Sequence, residues 1–433
     1  MGRRIVRFAA PRIAAATAFV AVTALALVPS AASAAATTDG NWWYAKYNLA
    51  QLHSSGIDGS GVTIAVIDGP VNTEFPALVG ADIVTHGPAC DGSAATTTTY
   101  TEDSGHGTSV ASLLVGTGAG PGEIRGIAPK ATIDYYVAPL NSPDPACGVQ
   151  TADGQRTDLY GALIDEAVRN GAEIISISTG GPAVPAEYYS AIARALAAGV
   201  VIVAGTPNAN GSASTYPWDA NGVVAVSAIS STGSLLENPA GTPVINDDVT
   251  VAAPGVDIST PAGASDGSWI AGTSSGSSLA TPLVAGMLAL AKEKYPSATG
   301  NQLIQSLIHH ASGTTNGNLA VAQGYGYGGA LLAGMLTTDP ASYPDTNPLM
   351  GKSSGLPTAQ QFADARSGGA STSSATTSPV PSGAGTVASP ESSGGVPIAL
   401  GAAGLLVVAG LAVTTVLVIR RTRTRSPQRK DAG

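Results

Sequence analysis

Four side chains, far apart along the chain, are of types that move protons and acyl groups. Asp68 closes the apolar run VTIAVID, where the end of a buried strand would hold a carboxylate rigid and partly desolvated. His106 stands between Gly105 and Gly107 in SGHGTSVASLLVG, and an imidazole titrating near neutrality suits proton transfer. Ser278 lies in GSSLATPLVAGMLALAKEKY, at the expected start of a long apolar helix. The free N–H groups and positive end of such a helix favour an oxyanion beside its Oγ. Asn208 follows GVVIVAG, in TPNANG, and could aim its amide N–H at the same place. Taken singly, each also fits a plain role: a turn Asp, a surface His, a helix-capping Ser, a turn Asn. His53, His86, His309 and His310 lack a comparable setting.

The elements that must position these groups are legible as an alternation. VTIAVID (62–68), ATIDYYVA (131–138), AEIISIS (172–178), GVVIVAG (199–205) and GVVAVSAI (222–229) read as buried strands. LYGALIDEAVRNG and AEYYSAIARALAAG read as helices, each ending at Gly. Strands alternating with helices predict an α/β domain with a mainly parallel sheet and helices on both faces. Reactive groups then belong at the carboxyl ends of the strands.

Taken together, the four positions and their flanks resemble the subtilisin-like serine proteases, the subtilases. The order Asp68, His106, Ser278 is that family's order, and VTIAVID, GHGTSVAS and SSLATPLVAG are similar to its three active-site blocks. GVVIVAGTPN resembles the strand leading to its oxyanion asparagine, and RGIAPKA and VAAPGVDI its connecting segments. The likeness spans residues 44–335. It implies a subtilisin-like fold and peptide hydrolysis through an acyl-enzyme. Ser278 would be the nucleophile, His106 the general base, Asp68 the acid that orients it, and Asn208 an oxyanion donor. IISISTGGP resembles the family's substrate-holding edge, so the resemblance assigns Ser178, Thr179 and Gly180 to pairing with substrate backbone. No cofactor is implied; structural calcium is common in the family, but no ligand cluster stands out in the sequence, and no metal residue is assigned.

Gly272-Thr273-Ser274-Ser275-Gly276 also fits the G-x-S-x-G elbow of α/β-hydrolases. That elbow needs its acid and histidine later in the chain, whereas here both come earlier. Subtilases place the nucleophile four residues before a proline, and Ser278 and Pro282 have that spacing. There are departures from the family pattern as well. Gly69-Pro70 follows the acid, where a hydroxyl residue is usual. Ser109 replaces a second histidine, Ser277 a threonine, and Thr206-Pro207 an Ala-Gly pair. These departures motivate a rival reading, a weakly active or inactive subtilase-fold scaffold of a membrane secretion complex.

The chain has 433 residues and a formal net charge of −9, unevenly placed. Ten of its 20 Lys and Arg lie in the two ends, at Arg3, Arg4, Arg7, Arg12, Arg420, Arg421, Arg423, Arg425, Arg429 and Lys430. The stretch between holds 10 basic and 28 acidic residues, a surface that repels phosphate backbones, so no nucleic-acid partner is expected. Residues 1–36 read as a secretory signal, with a basic start, an apolar run and the small exit Ala32-Ser33-Ala34. Val396–Ile419 is an uncharged stretch of 24 residues. As a helix it would be about 36 Å long, enough for a roughly 30 Å hydrocarbon layer. The arginines of 420–433 would keep that end in the cytoplasm. Residues 37–336 are then the peptidase domain, outside the cell, and the Ser/Thr/Gly/Pro-rich 337–395 a flexible linker to the transmembrane helix at 396–419. Cys90 and Cys147, the only cysteines, are expected to form one disulfide in that compartment. This layout is similar to that of the mycosins, membrane-anchored subtilases linked to type VII secretion, which implies protein or peptide substrates and type VII secretion components as partners.

Overall fold

The computed structural model describes Gly2 and residues 40–87, 94–138, 159–182, 184, 186–212, 214–314 and 317–367. Apart from Gly2, the expected signal at 1–36 lies outside the described residues, as do the span at 396–419, the tail at 420–433, and Cys90 and Cys147. Among the described residues no helix is long and apolar enough to cross a membrane.

The strands are β1 (Thr63–Asp68), β2 (Ile83–Thr85), β3 (Thr132–Val137), β4 (Ile174–Ile177), β5 (Gly181–Pro182), β6 (Val201–Gly205), β7 (Ser214–Tyr216), β8 (Val224–Ile229), β9 (Val251–Pro254), β10 (Ile258–Gly263) and β11 (Trp269–Ser274). Seven of them form one sheet in the order β2-β3-β1-β4-β6-β8-β9, every neighbouring pair parallel. β10–β11 and β5–β7 are separate antiparallel pairs. The helices are α1 (Trp42–Lys46), α2 (Leu49–Ser54), α3 (Glu102–Val115), α4 (Leu159–Arg169), α5 (Tyr189–Ala197), α6 (Ser277–Lys294), α7 (Gly300–His309), α8 (Leu332–Thr337) and α9 (Ala359–Arg366).

Successive side chains on a strand point to opposite faces, and here both faces are dry. Ile64 and Val66 of β1, with Val201 and Val203 of β6, pack with Val110 and Leu114 of α3 and with Leu283 and Met287 of α6. Ala65, Ile67, Ile202 and Ala204 pack with Leu163 and Ile164 of α4 and Ile192 of α5. Such double burial requires the unbroken apolar runs seen in the sequence, and it is the usual condition of parallel sheets covered by helices. α4 and α5 both stop ahead of a glycine in the left-handed region, Gly171 (φ 86°) and Gly199 (φ 84°), a conformation costly for residues with a Cβ. The expected α/β architecture with helices on both faces is therefore observed.

One expectation is corrected. Residues 337–367 are folded, not part of a flexible linker. Phe362 of α9 is buried, and Gln361 donates to the Ala186 carbonyl (2.7 Å) and Ser190 Oγ (3.1 Å) beside α5. Lys352 is buried, and its ammonium group donates to the Trp218 carbonyl at 2.7 Å. The polar residues that gave this stretch its linker-like composition serve as caps and anchors. Thr358 and Gln361 make a capping box for α9, and Asn221 donates to the Pro357 carbonyl at 3.1 Å.

Candidate active site

β1 is an inner strand of the sheet, between β3 and β4, and Asp68 is its last residue, fully buried. One carboxylate oxygen, Oδ1, accepts from the backbone N–H of Gly69 and from Nδ1 of His106, both at 2.7 Å. Among the described residues the other oxygen, Oδ2, is equally buried and has no hydrogen-bond partner. Gly69 is held in turn: the Tyr135 hydroxyl on β3 donates to its carbonyl at 2.8 Å.

His106 sits in the second turn of α3, whose start is fixed by a capping box between Thr101 and Ser104. Its side chain is 25 % exposed, against 0 % for that of Asp68. The imidazole thus has one nitrogen tied to a buried carboxylate while the ring edge reaches the cleft. Burial alone would push its pKa down. The charge and hydrogen bond of Asp68, helped by Asp103, outweigh burial and hold it above the usual imidazole value. The same negative charge, added to complete burial, drives the Tyr135 phenol well above its ordinary range. That phenol remains a hydrogen-bond donor at any physiological pH. Ser109, in place of the family's second histidine, is buried and returns its hydroxyl to the Gly105 carbonyl at 2.6 Å.

Ser278 is the second residue of α6, half-buried at the helix N-terminus, where backbone N–H groups lack intrahelical partners. The start of α6 is tied to the loop after β6. Ser277 N–H donates to Asn208 Oδ1 at 2.8 Å, and Ser277 Oγ donates to the Thr206 carbonyl. With its oxygen occupied, the Asn208 amide presents its Nδ2 to the cleft. A Cβ placed on Gly276 would lie 3.1 Å from that Nδ2 and 3.2 Å from Ser278 Oγ. The amide donor and the hydroxyl therefore converge on one spot, which glycine leaves open.

His106, Ser278, Asn208, Ser178, Thr179 and Gly180 all line a single cleft of about 740 Å³, with Asp68 behind the histidine. Residues 178–180 follow β4 without belonging to a strand, and Thr179 Oγ1 is hydrogen-bonded to the Tyr160 hydroxyl at 2.8 Å. Ser274 also borders the cleft, but as the last residue of β11, in the separate antiparallel pair. It stands on no elbow between the central sheet and a helix. Among the described residues no three His, Cys, Asp or Glu side chains gather where a metal ion could be held. Tyr135 escaped the sequence reading. Its role comes from the β1–β3 register, which sets Val66 beside Tyr135, and no local pattern announces that register.

A buried acid at a central strand end, a histidine bound to it, and a serine at a helix start across the same cleft are the parts of a nucleophile–base–acid hydrolase. The subtilase family profile matches residues 59–328, and the chain belongs to that family of serine peptidases. It is 30 % identical over 273 residues to the thermostable alkaline protease of Halalkalibacterium halodurans, spanning 63 % of this chain and 68 % of that protein. It is 32 % identical over 260 residues to subtilisin NAT of Bacillus subtilis subsp. natto, spanning 58 % of this chain and 61 % of that relative. Among solved structures, the MycP3 protease from the type VII (ESX-3) secretion system superposes with a TM-score of 0.51 at 25 % identity, covering 69 % of this chain and 88 % of that one. The resemblance to subtilases drawn from the motifs is thereby borne out, and a mycosin-like protease is among the similar structures.

Proposed function

We propose that the chain is a membrane-tethered serine endopeptidase working through Asp68, His106 and Ser278. The observation that carries this reading is the 2.7 Å bond from His106 Nδ1 to a buried Asp68, with Ser278 lining the same cleft as the imidazole. Ser278 Oγ attacks the peptide carbonyl carbon, and its proton passes to Nε2 of His106. Asp68 fixes the tautomer that leaves Nε2 free to accept and stabilises the imidazolium. The Asn208 amide and the Ser278 backbone N–H receive the oxyanion. His106 then protonates the leaving amine, and water, deprotonated in the same way, releases the acyl group. Ser178, Thr179 and Gly180 lie along the cleft where an extended substrate would add as a strand. The signal and the Val396–Ile419 segment support an anchored protein with this domain outside the cell, and the likeness to MycP3 supports an association with type VII secretion.

Asp68 Oδ2, without a partner among the described residues, favours a second reading, a weakly active or inactive subtilase-fold scaffold of a membrane secretion complex. A fluorophosphonate probe on the full-length protein separates the two. A covalent adduct on Ser278, lost in His106→Ala, is expected. An unlabelled Ser278 under conditions that fully label a subtilisin would leave the scaffold reading standing.

A further inference from the structure

One wall of the cleft, beside His106, is chemically unlike the rest. Tyr100 lines it, and its ring packs close to two glycines. A Cβ on Gly105 would fall 2.7 Å from the ring, and one on Gly263 would fall 2.2 Å from it. Trp269 meets the ring edge-on, with ring centroids 5.1 Å apart at 80°. Its Nε1–H donates to the Thr98 carbonyl at 2.7 Å, which ties the β10–β11 hairpin to the segment carrying Tyr100. The aromatic wall is therefore rigid and built.

Glu102, the first residue of α3, borders the cleft next to that wall. It is exposed, and among the described residues its carboxylate has no hydrogen-bond or ion-pair partner. Among the described residues no other one lining the cleft carries a negative charge at neutral pH, and none is a lysine or arginine. Asp103 adds to the same field, since its charge is felt at His106. An acid near a helix start also serves the helix dipole. Asp103 and the Thr101–Ser104 capping box already do so here, so that service does not account for a carboxylate facing the cleft.

We propose that Glu102 and the Tyr100 ring select substrates with a lysine or arginine next to the scissile bond, the aliphatic stem lying on the ring and the cationic head at the carboxylate. A guanidinium or ammonium group gains from both an aromatic face and an anion. The inference rests on the protease reading and names the substrate class for that site.

The test uses the full-length protein and internally quenched peptides identical except for Arg, norleucine or Glu at each of the two positions flanking the cleaved bond. The Arg peptide should exceed norleucine in kcat/KM by roughly 5- to 30-fold, the scale of an exposed ion pair plus a cation–π contact. The advantage should shrink as salt is raised. Glu102→Gln should erase most of it, and Glu102→Lys should turn the preference toward the Glu peptide. That gain cannot come from misfolding. Equal cleavage of Arg and norleucine peptides, or an Arg preference untouched by Glu102→Gln, overturns this inference alone. Failure to cleave any of the peptides overturns the protease reading, and this inference with it.

Discussion

The two ends of the proposed relay are held in different ways. At the nucleophile end the start of α6 is pinned by Ser277, through its N–H to Asn208 and its hydroxyl to Thr206. At the acid end one carboxylate oxygen takes two hydrogen bonds, while its buried twin takes none from the described residues. A buried polar atom without a partner costs about 1–3 kcal/mol. The oxyanion half is thus built from redundant neutral bonds. The acid half depends on a single peptide, that of Gly69, and on whatever holds that peptide still.

The sharpest way to break the comparison is to remove one functional group from each end. Asp68→Asn should keep the fold and lower kcat by about 10⁴, because the amide stabilises the wrong histidine tautomer. It should also let burial dominate at His106, so that the acid limb of the pH profile moves down. Asn208→Ala should cost less, about 10² to 10³ in kcat with little change in KM, since one oxyanion donor remains. Steady-state kinetics of the two variants side by side gives the ranking. A larger loss at Asn208 than at Asp68 would mean that the acid end contributes little to the reaction.

A subtler prediction concerns the missing hydroxyl. Gly69→Ser puts back the residue type common in the family and invites the view that the site has been repaired. The structure argues the reverse. A Cβ on Gly69 would lie 2.7 Å from the Asp103 carbonyl oxygen and 3.4 Å from its Cβ. Asp103 belongs to the first turn of α3, three residues before His106, so the serine would push the helix that carries the base. The expected outcome is a loss of about 1–3 kcal/mol in stability, the usual range for overpacking, with lower rather than higher kcat/KM. Thermal unfolding and kinetics on the same preparation check it. An unchanged Tm with faster turnover would show that Oδ2 is open to a new donor.

Much of this architecture is legible in the sequence. The strands were readable because a sheet buried on both faces demands unbroken apolar runs, and β1, β4 and β6 supply them. Asp68, His106 and Ser278 stand out through their flanks taken together, which resemble the three active-site blocks of subtilases, whereas each alone also fits a plain role. What stayed hidden depends on register and long-range closure. Tyr135 looks like any other core aromatic until β3 is laid beside β1. The segment 337–367 looked like linker because its Thr, Gln and Ser residues are polar. Their bonds to α5 and to the turn at Asn221 join positions more than 100 residues apart.

Tyr135 offers the smallest and most discriminating break. Tyr135→Phe removes one buried hydrogen bond to the Gly69 carbonyl and little volume, a loss of about 1–3 kcal/mol when the carbonyl is left without its donor. If Tyr135 only packs, Tm falls and the pH profile stays where it was. If it positions Asp68 through Gly69, the carboxylate's grip on His106 weakens, and the raised imidazole pKa relaxes toward its ordinary value of about 6.5. Turnover requires neutral His106, so wild-type activity is lost as pH falls through that raised value. The variant's acid limb should then lie lower, with a reduced kcat on the plateau. The stability sign runs the other way. A histidine whose pKa is raised by folding contributes fully below its unfolded value, about 6.5, and that contribution fades as pH rises through the folded one. The Tm gap between wild type and Tyr135→Phe should therefore be wider near pH 5 than near pH 9. Calorimetry and kcat/KM profiles across that range decide between the two roles, and a uniform Tm gap with an unmoved limb leaves Tyr135 as packing alone.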